Sequence, residues 1–238
     1  RSPLDLAQAA AFIHEISNGR FQFGIGVAHE PSHRRFGVTA GKPLSDIRGF
    51  VETANNAERI GELPPIVLAA LRKRMISLAG EIADGLVFAN GCRSHMSESL
   101  GVLPVEKRKD RDFFIGDMIP TCVYEDQNIA KEVNRKTLIP YASLENYRNY
   151  WKEAGYEEEM AAVENVINKG AGTAEIGPCL SDKLLSDNTL FGPPSMVLEG
   201  LEAWYDCGIT TPVLVPSSAQ GNQLTAIAEI FELCERLD

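Results

Sequence analysis

The sequence predicts a parallel α/β fold, and three observations lead to that prediction. Short and nearly continuous apolar runs alternate with amphipathic segments along the chain. Such runs are typical of strands that are covered on both faces, as parallel strands usually are. The chain has 238 residues, of which 44% are hydrophobic and 24% charged, so it can bury a substantial core. Strands that alternate with helices indicate a parallel sheet.

The first half of the chain follows this alternation in order. Residues 4–17 are predicted to form a helix, because apolar side chains recur at helical spacing before the stop signal Asn18-Gly19. A strand is predicted over Phe21–Val27, where apolar residues alternate with glutamine and glycine. Ile66–Leu71 and Leu86–Asn90 are predicted as two buried strands, with a helix between them that starts at Arg72.

The second half continues the pattern with larger helices. Phe113–Tyr124 is rich in strand formers, and Pro120 predicts an edge, a bulge or a strand end, because proline cannot donate to the sheet. Further predicted elements are a mostly helical stretch from Gln127 to Glu164 with breaks at Pro140 and Gly155, a helix over Pro194–Gly208, a strand over 210–218 and a closing helix over 224–237. The stretches Gly91–Asp112 and Asn168–Asn188 are expected to be long loops or insertions.

Charge and cysteine usage exclude several classes of function. There are 33 acidic and 23 basic side chains, a net charge of -10, so attraction to nucleic acid or an anionic membrane is not expected. No run approaches the roughly 20 apolar residues of a membrane span, and no signal pattern is present. The five cysteines form no CxxC pair and no zinc-like cluster with histidine, so we expect reduced thiols, no metal and a cytoplasmic location.

The type of parallel fold is narrowed by the motifs that the sequence lacks. Neither GxGxxG nor GxxxxGK[ST] occurs, and these glycine-rich patterns usually mark a nucleotide site in a doubly wound sheet. A (β/α)8 barrel fits better. The sequence contains no GxSxG motif, which a serine hydrolase of the α/β type would need, and no cluster of metal-ligating residues is visible in it.

Several segments carry a resemblance to a known family, and they occur in the family's order. They are Leu6–Ala10, Ile16–Phe21, Phe23–Val27, Ile66–Ala70, Leu78–Gly85, Leu190–Gly192 and Val213–Pro216, together with the helix from Pro194. With these segments the chain resembles the bacterial luciferase-like monooxygenases. The Ser-Asn-Gly-Arg and Ala-Asp-Gly portions are most similar to the branch that uses the deazaflavin coenzyme F420.

The resemblance implies a luciferase-like (β/α)8 TIM barrel, with residues 1–238 as a single, partial domain. The strands at Phe21–Val27, Ile66–Leu71, Leu86–Asn90, Phe113–Tyr124 and Val213–Pro216 then resemble strands 4 to 8 of the family, and the N-terminal strands are missing from this chain. A five-strand arc cannot close, and its edge would expose backbone groups. We therefore expect further residues outside this sequence, or another chain, to cover that edge.

Barrel active sites lie where strands end and βα loops begin, which points first to the loop after Val27. His29 and Glu30 are the candidate catalytic residues there, because an imidazole or a carboxyl group can exchange a proton during hydride transfer. The resemblance implies an acid-base carboxylate at the place of His29. The alternative is that this loop is a solvated polar surface.

Three strand ends supply the candidate cofactor contacts. Glycine lets a flat ring system approach the backbone, although tight packing of a strand against a helix explains the same residues; this set is Gly24, Gly26 and Val27. A helix start favours phosphate, although basic residues there can also form a solvated face; this set is Ala69, Ala70, Leu71 and Arg72. The third set resembles the family's second cofactor contact, or caps a turn: Ala89, Asn90 and Gly91.

These residues lead to one functional prediction with two alternatives. We expect a flavin-type oxidoreductase that transfers a hydride between coenzyme F420 and an unidentified organic small molecule. An FMN-dependent monooxygenase is the alternative within the same family. A non-catalytic flavin-binding or partner subunit is the alternative from another class. The resemblance also implies a homodimer, for which the aromatic-rich helices between Tyr141 and Tyr156 are the expected interface.

Overall fold

Strands and helices alternate in the computed structural model, which describes residues 2–39 and 41–235, apart from the side chains of Glu30 and Pro31. The strands are β1 (Phe23–Ile25), β2 (Ile66–Ala69), β3 (Gly85–Ala89), β4 (Phe114–Val123), β5 (Leu190–Gly192) and β6 (Thr211–Pro216). The helices are α1 (Pro3–Ile16), α2 (Glu30–Phe36), α3 (Pro43–Asn55), α4 (Lys73–Ile82), α5 (Met96–Leu100), α6 (Val105–Lys109), α7 (Gln127–Ala142), α8 (Glu145–Glu153), α9 (Glu157–Asn168), α10 (Asp182–Asn188), α11 (Pro194–Asp206) and α12 (Gln223–Cys234).

The chain folds into two compact units. The first consists of the residues up to Phe88 together with Ser99–Ile115. The second consists of Ala89–Glu98 and the residues from Gly116 onward. Each unit contains parallel strands with helices packed against them, so the predicted parallel α/β class is confirmed.

Parallel pairing in the first unit joins β1 to β2 and β2 to β3. Phe23 lies opposite Ile66, and Val67 lies opposite Gly85. Buried apolar side chains explain why β2 reads as a continuous apolar run, since Ile66, Val67 and Leu68 are all buried. The carboxyl ends of β1 and β2 therefore lie side by side.

The Ala-Asp-Gly segment forms a tight corner at the start of β3. The Asp84 carboxylate accepts a hydrogen bond from the Ile66 backbone N–H at 2.8 Å, which fixes the start of β2. A Cβ at Gly85 would lie 2.5 Å from Phe114 Cβ and 2.6 Å from the Phe114 carbonyl oxygen. Only glycine fits at this approach, so the segment has a structural role in this unit.

Strand β4 pairs in parallel with two strands of the second unit, β5 and β6. Residues 116–121 of β4 pair with β6, and residues 121–123 pair with β5. Pro120 does not end the strand, which corrects the expectation of a break there; it lies beside the residue at which pairing passes from β6 to β5. The buried Asn134 side chain donates to the carbonyl oxygens of Pro120 at 3.3 Å and Leu190 at 2.8 Å, and so ties β4 to β5.

Several elements differ from the sequence prediction. Strand β5 was not predicted, because it has only three residues and shows no alternation. Strand β1 is shorter than the predicted Phe21–Val27. Helix α2 occupies the segment expected to be a loop, and α3 was not predicted at all. The two stretches expected to be loops contain α5, α6 and α10, which are five to seven residues long and too short for periodicity to reveal.

Candidate cofactor site

The end of β1 presents an open backbone surface. Gly24, Gly26 and Val27 are exposed, Val27 to 39%. A Cβ at Gly24 would meet no described atom within 4 Å, whereas a Cβ at Gly26 would lie 2.9 Å from Ala69 Cβ. The two glycines therefore differ: Gly26 is required by the close approach of β2, and Gly24 leaves room for another group.

His29 caps the start of α2. Its backbone carbonyl accepts hydrogen bonds from Ser32 N–H at 2.9 Å and His33 N–H at 3.1 Å. Partial burial, and next the neighbouring His33, hold the pKa of the His29 imidazole below its usual 6.5. The ring is thus neutral at neutral pH and can accept a proton. The side chain of Glu30, the other candidate catalytic residue, lies outside the described part of the chain.

The turn from β2 into α4 combines buried and exposed groups. Ala70 and Leu71 are buried, and Ala70 N–H donates to Val87 carbonyl at 2.9 Å, so this donor already has a partner. Ala69 and Arg72 are exposed. Arg72 is the N-cap of α4, whose first turn carries no acidic residue, so the helix start is electropositive.

A cleft of about 560 Å³ begins at this helix start and runs between α3 and α4. Lys73 and Arg74 of α4 line it, together with Arg48 of α3. The Arg48 guanidinium makes two hydrogen bonds to the Glu81 carboxylate, at 2.8 and 2.6 Å, and this exposed pair connects α3 to α4 at the surface. Three cationic side chains line the cleft, against the two carboxylates of Glu52 and Glu81, so its net charge is weakly positive.

The third strand end lies in the second unit and is closely packed. Asn90 is only 3% exposed and has a left-handed backbone, with φ of 56°. Its N–H donates to Met118 carbonyl at 3.1 Å, and its carbonyl accepts from Trp151 Nε1 at 3.2 Å. Gly91 N–H donates to Asp117 Oδ1 at 3.3 Å. The backbone groups of this turn are therefore bonded within its own unit, and half-buried Ala89 is the most accessible of the three predicted residues.

A network of buried polar side chains continues from this turn. Asp187 accepts from Ser94 N–H at 2.8 Å, from Ser94 Oγ at 2.6 Å and from Tyr156 hydroxyl at 2.8 Å. Asn188 accepts from Trp151 Nε1 at 2.8 Å. Desolvation is the main cause that raises the pKa of the Tyr156 phenol, and the hydrogen bond to Asp187 adds to it, so this hydroxyl stays protonated.

The network also shows how the aromatic side chains are used. Tyr147, Tyr150, Trp151 and Tyr156 are all buried within the second unit, between 0 and 7% exposed. They cannot supply the intersubunit contact that the sequence suggested, because the unit's own core contains them. Their polar ends hold the 90–95 segment, for example through Cys92 N–H, which donates to the Tyr150 hydroxyl at 3.0 Å.

Sequence reasoning missed the most unusual group of this region, Asp117. Its carboxyl group is fully buried on β4, and burial raises its pKa to about 8, against the lowering effect of the Gly91 and Met118 backbone N–H groups. A signal was available, because Asp117 is the single charged residue in the apolar run from Phe113 to Tyr124. A charge in such a run is rarely accidental.

Two further findings concern metals and membranes. Across residues 2–39 and 41–235, no group of three or more histidine, cysteine, aspartate or glutamate side chains is arranged to hold a metal ion. In the same residues, no helix is both long enough and apolar enough to cross a bilayer. The cysteines in the described part of the chain are all free thiols.

Comparison with known families identifies the chain's relatives. The model of the luciferase-like monooxygenases matches residues 1–211. The chain belongs to this family. The sequence is also 24% identical over 245 residues to the 5,10-methylenetetrahydromethanopterin reductase of Archaeoglobus fulgidus, covering 89% of this chain and 72% of that protein.

Solved structures support the same fold for this luciferase-like protein. The coenzyme F420 dependent tetrahydromethanopterin reductase from Methanopyrus kandleri has a TM-score of 0.72 at 16% identity, over 97% of this chain and 78% of that one. A type II Baeyer-Villiger monooxygenase from Pseudomonas putida, solved with FMN, has a TM-score of 0.55 at 15% identity, over 90% and 69%. The predicted luciferase-like barrel class is thus confirmed, and the protein is an oxidoreductase of this family.

Proposed function

We propose that this luciferase-like protein transfers a hydride between coenzyme F420 and an organic small molecule. The observation that carries the proposal is the sequence match, over 89% of the chain, to a methylenetetrahydromethanopterin reductase. The better structural match, at a TM-score of 0.72, is to a reductase described as coenzyme F420 dependent. When bound, the deazaflavin supplies or accepts the hydride, and the protein provides binding, orientation and a proton.

The first unit offers a surface that fits a ring with a phosphate-bearing tail. Gly24 is exposed, and no described atom occupies the place of a side chain there, so a planar ring can lie against the backbone. Ala69 continues that surface on the neighbouring strand, and Gly26 and Val27 border it. Arg72, with Lys73 beside it, stands at the start of α4, where the helix dipole adds to the guanidinium charge in binding a phosphate. Buried Ala70 and Leu71 fix this turn from beneath.

His29 is the proposed proton acceptor. A substrate that gives up a hydride from a carbon–oxygen or carbon–nitrogen centre must also lose a proton from the heteroatom, and a neutral imidazole can take it. In the reverse direction the same nitrogen returns the proton. The lowered pKa of His29 keeps the accepting form populated at neutral pH. Glu30 follows His29 directly in the sequence and is the alternative proton carrier.

The second unit contributes the proposed second cofactor contact at Ala89, Asn90 and Gly91. The backbone N–H groups of Asn90 and Gly91 already have partners, so we propose that contact is made through the shape of the turn and the exposed part of Ala89. The tight backbone geometry at Asn90 and Gly91 serves to hold that shape. We propose that residues 1–238 act as one barrel domain in this function.

FMN is the second candidate cofactor, because a monooxygenase solved with FMN shares the fold at a TM-score of 0.55. An exposed backbone at Gly24 suits either ring.

We also propose a homodimer in the cytoplasm. Support for a dimer comes from exposed apolar side chains of α12, where Leu224 is 76% and Phe231 67% exposed. Light scattering of the wild type and of Phe231→Ser tests this: a dimer that weakens in the variant is expected, and a wild-type monomer contradicts it.

Side-by-side binding of coenzyme F420 and FMN, followed by fluorescence quenching, tests the proposed function. We expect tight binding of the deazaflavin and at least tenfold weaker binding in Arg72→Ala, since a charge-assisted hydrogen bond to phosphate contributes about 1.5 to 3 kcal/mol. The matched control is Arg111→Ala, an exposed arginine that precedes β4. Tight binding of FMN alone favours the monooxygenase, and binding of neither contradicts both cofactor assignments.

A further inference from the structure

The turn over Asn90 and Gly91 is held by one carboxyl group that the proposed chemistry does not use. Asp117 Oδ1 accepts the Gly91 N–H at 3.3 Å, and Asp117 Oδ2 has no hydrogen-bonding partner among the described residues. A Cβ at Gly91 would lie 3.2 Å from Oδ2 and 2.9 Å from Met96 Cε, so the backbone is pressed directly against the carboxyl group. Asp117 and the turn therefore move together or not at all.

Within residues 2–39 and 41–235, no cationic side chain is among the causes that shift the pKa of Asp117, and Arg93 acts on the thiol of Cys207 instead. The titratable groups that interact with Asp117 are the phenol of Tyr147 on α8 and the thiols of Cys92 and Cys207. Burial is the main cause that raises the pKa of each, and that of Tyr147 reaches about 12. All three are neutral at neutral pH, so a carboxylate at Asp117 would be stabilised only by the backbone N–H groups of Gly91 and Met118.

We propose that Asp117 is a positioning residue. As a neutral carboxylic acid it holds the Asn90–Gly91 turn in the shape that binds the cofactor, and when it ionises the turn is no longer held in that shape. The inference rests on the proposed function in one respect, since the turn is a cofactor contact only if that function is correct. The carboxyl group touches no cofactor itself, because it is fully buried.

The physical reason is the unpartnered oxygen. In the neutral acid, Oδ1 accepts from Gly91, and the second oxygen carries a proton and no charge. Ionisation places negative charge on Oδ2 inside the core, which the unit can relieve only by opening the turn to water. Burial raises the pKa of Asp117 to about 8, so the carboxylate becomes populated in mildly alkaline solution, and in this proposal the open turn becomes populated with it. If only the neutral form binds, affinity falls about tenfold for each pH unit above that value.

The experiment measures coenzyme F420 affinity at pH 7 and pH 9 for three proteins. We expect the wild type to lose about tenfold between these values. Asp117→Asn keeps an acceptor for Gly91 N–H and cannot ionise. Its affinity should therefore change between the two pH values only as much as ionisation of the coenzyme itself causes. The control Asp206→Asn changes the exposed last residue of α11 and should show the wild-type ratio. Ionisation of the coenzyme is common to all three and cancels.

A second readout, without any ligand, separates this inference from the proposed function. Amide hydrogen exchange of a peptide over residues 89–95, corrected for the intrinsic rate, should rise above about pH 8 in the wild type and not in Asp117→Asn. Absence of coenzyme binding together with this difference overturns the proposed function and leaves Asp117 as the residue that holds the turn. Equal exchange and equal affinity ratios in the two proteins overturn the role of Asp117.

Discussion

The two units present their strand ends in opposite ways. In the first unit, the residues after β1 and β2 include exposed Gly24, Val27, Ala69 and Arg72. In the second unit, Asn90 and Gly91 after β3 are buried and bonded to β4 and α8. The sequence pattern predicts the same role for all three strand ends, but the structure distinguishes them. The strand ends of the first unit are surfaces that a ligand can contact, whereas the turn in the second unit is fixed by hydrogen bonds from its own core.

The difference in burial also explains why the pKa values of His29 and Asp117 shift in opposite directions. His29 is partly buried, and its pKa is lowered, so it is neutral but ready to accept a proton. Asp117 is fully buried and its pKa is raised, so it is neutral because charge cannot be tolerated there. The first arrangement suits chemistry and the second suits positioning.

The largest expected effect breaks the fixed turn of the second unit. Trp151→Ala removes a fully buried indole whose Nε1 donates to both Asn90 and Asn188, so we expect a loss of about 3 to 5 kcal/mol in the free energy of unfolding. Urea unfolding measures it. Trp151→Phe is the control, because it keeps most of the packing and loses only the hydrogen bonds, and its cost should be smaller. Equal stability of Trp151→Ala and wild type would show that the turn needs no such support.

The next effect concerns Asp117 and the stability of the protein as pH changes. Because the pKa is raised in the folded state, from the ordinary 3.8 to about 8, the folded chain binds more protons than the unfolded chain between those values. The free energy of unfolding should therefore fall as pH rises from about 4 to about 8, by on the order of a few kcal/mol from this group. Urea unfolding of Asp117→Asn should lack that part of the slope. A variant that keeps the full wild-type slope would contradict the buried neutral acid.

Substitution of His29 tests the chemistry assigned to the first unit. His29→Asn should lower the turnover rate of substrate oxidation by about a hundredfold or more, since a general base contributes at least that much. In the wild type the rate should fall on the acid side with a midpoint below 6.5, because burial and His33 lower the pKa of the imidazole. That acid limb should vanish in His29→Asn. A full rate in the variant would move the role to Glu30.

Two glycine substitutions compare an open surface with a closed one. Gly24→Ala adds a Cβ that meets no described atom within 4 Å, so stability should stay nearly unchanged while coenzyme affinity falls about tenfold through contact with the ring. Gly85→Ala puts its Cβ 2.5 Å from Phe114 Cβ and should cost about 1 to 3 kcal/mol of stability. Thermal unfolding and ligand titration read both effects. Unchanged affinity in Gly24→Ala would place the ring elsewhere.

The smallest effect is expected at the exposed ion pair between α3 and α4. Arg48→Met leaves the aliphatic part of the side chain and removes the bond to Glu81, which water screens on both sides. The unfolding midpoint should hardly change, and coenzyme affinity should stay at the wild-type value. A clear loss of affinity would extend the anion site along the cleft as far as Arg48.

Local patterns were sufficient to predict the long elements. The apolar runs at β2, β3 and β4 and the periodic helices α1, α4 and α12 stand where the sequence predicts them, within a few residues. Helix α3 was not predicted. Its buried face is narrow, with Ile47, Val51 and Ala54, and the link that contains it is rich in charged residues, so the apolar periodicity is weak.

The candidate residues were predictable only where a strand end announces them. His29, Arg72 and Asn90 were found in that way, but the sequence could not tell an exposed strand end from a buried one. The Asn90–Gly91 turn is supported by Trp151, which lies 61 positions from its partner Asn90, and by Asp117, which lies 26 positions from its partner Gly91. Contacts at such separations depend on the tertiary fold, so no local pattern encodes them.

The most direct test of the account is a crystal structure of the protein grown with coenzyme F420. We expect the deazaflavin ring to lie against the backbone of Gly24 and a phosphate oxygen to lie within hydrogen-bonding distance of Arg72. The Asn90–Gly91 turn should be unchanged. A ring bound away from Gly24, with Arg72 turned into solvent, would contradict the assignment of the first unit's exposed strand ends to the cofactor.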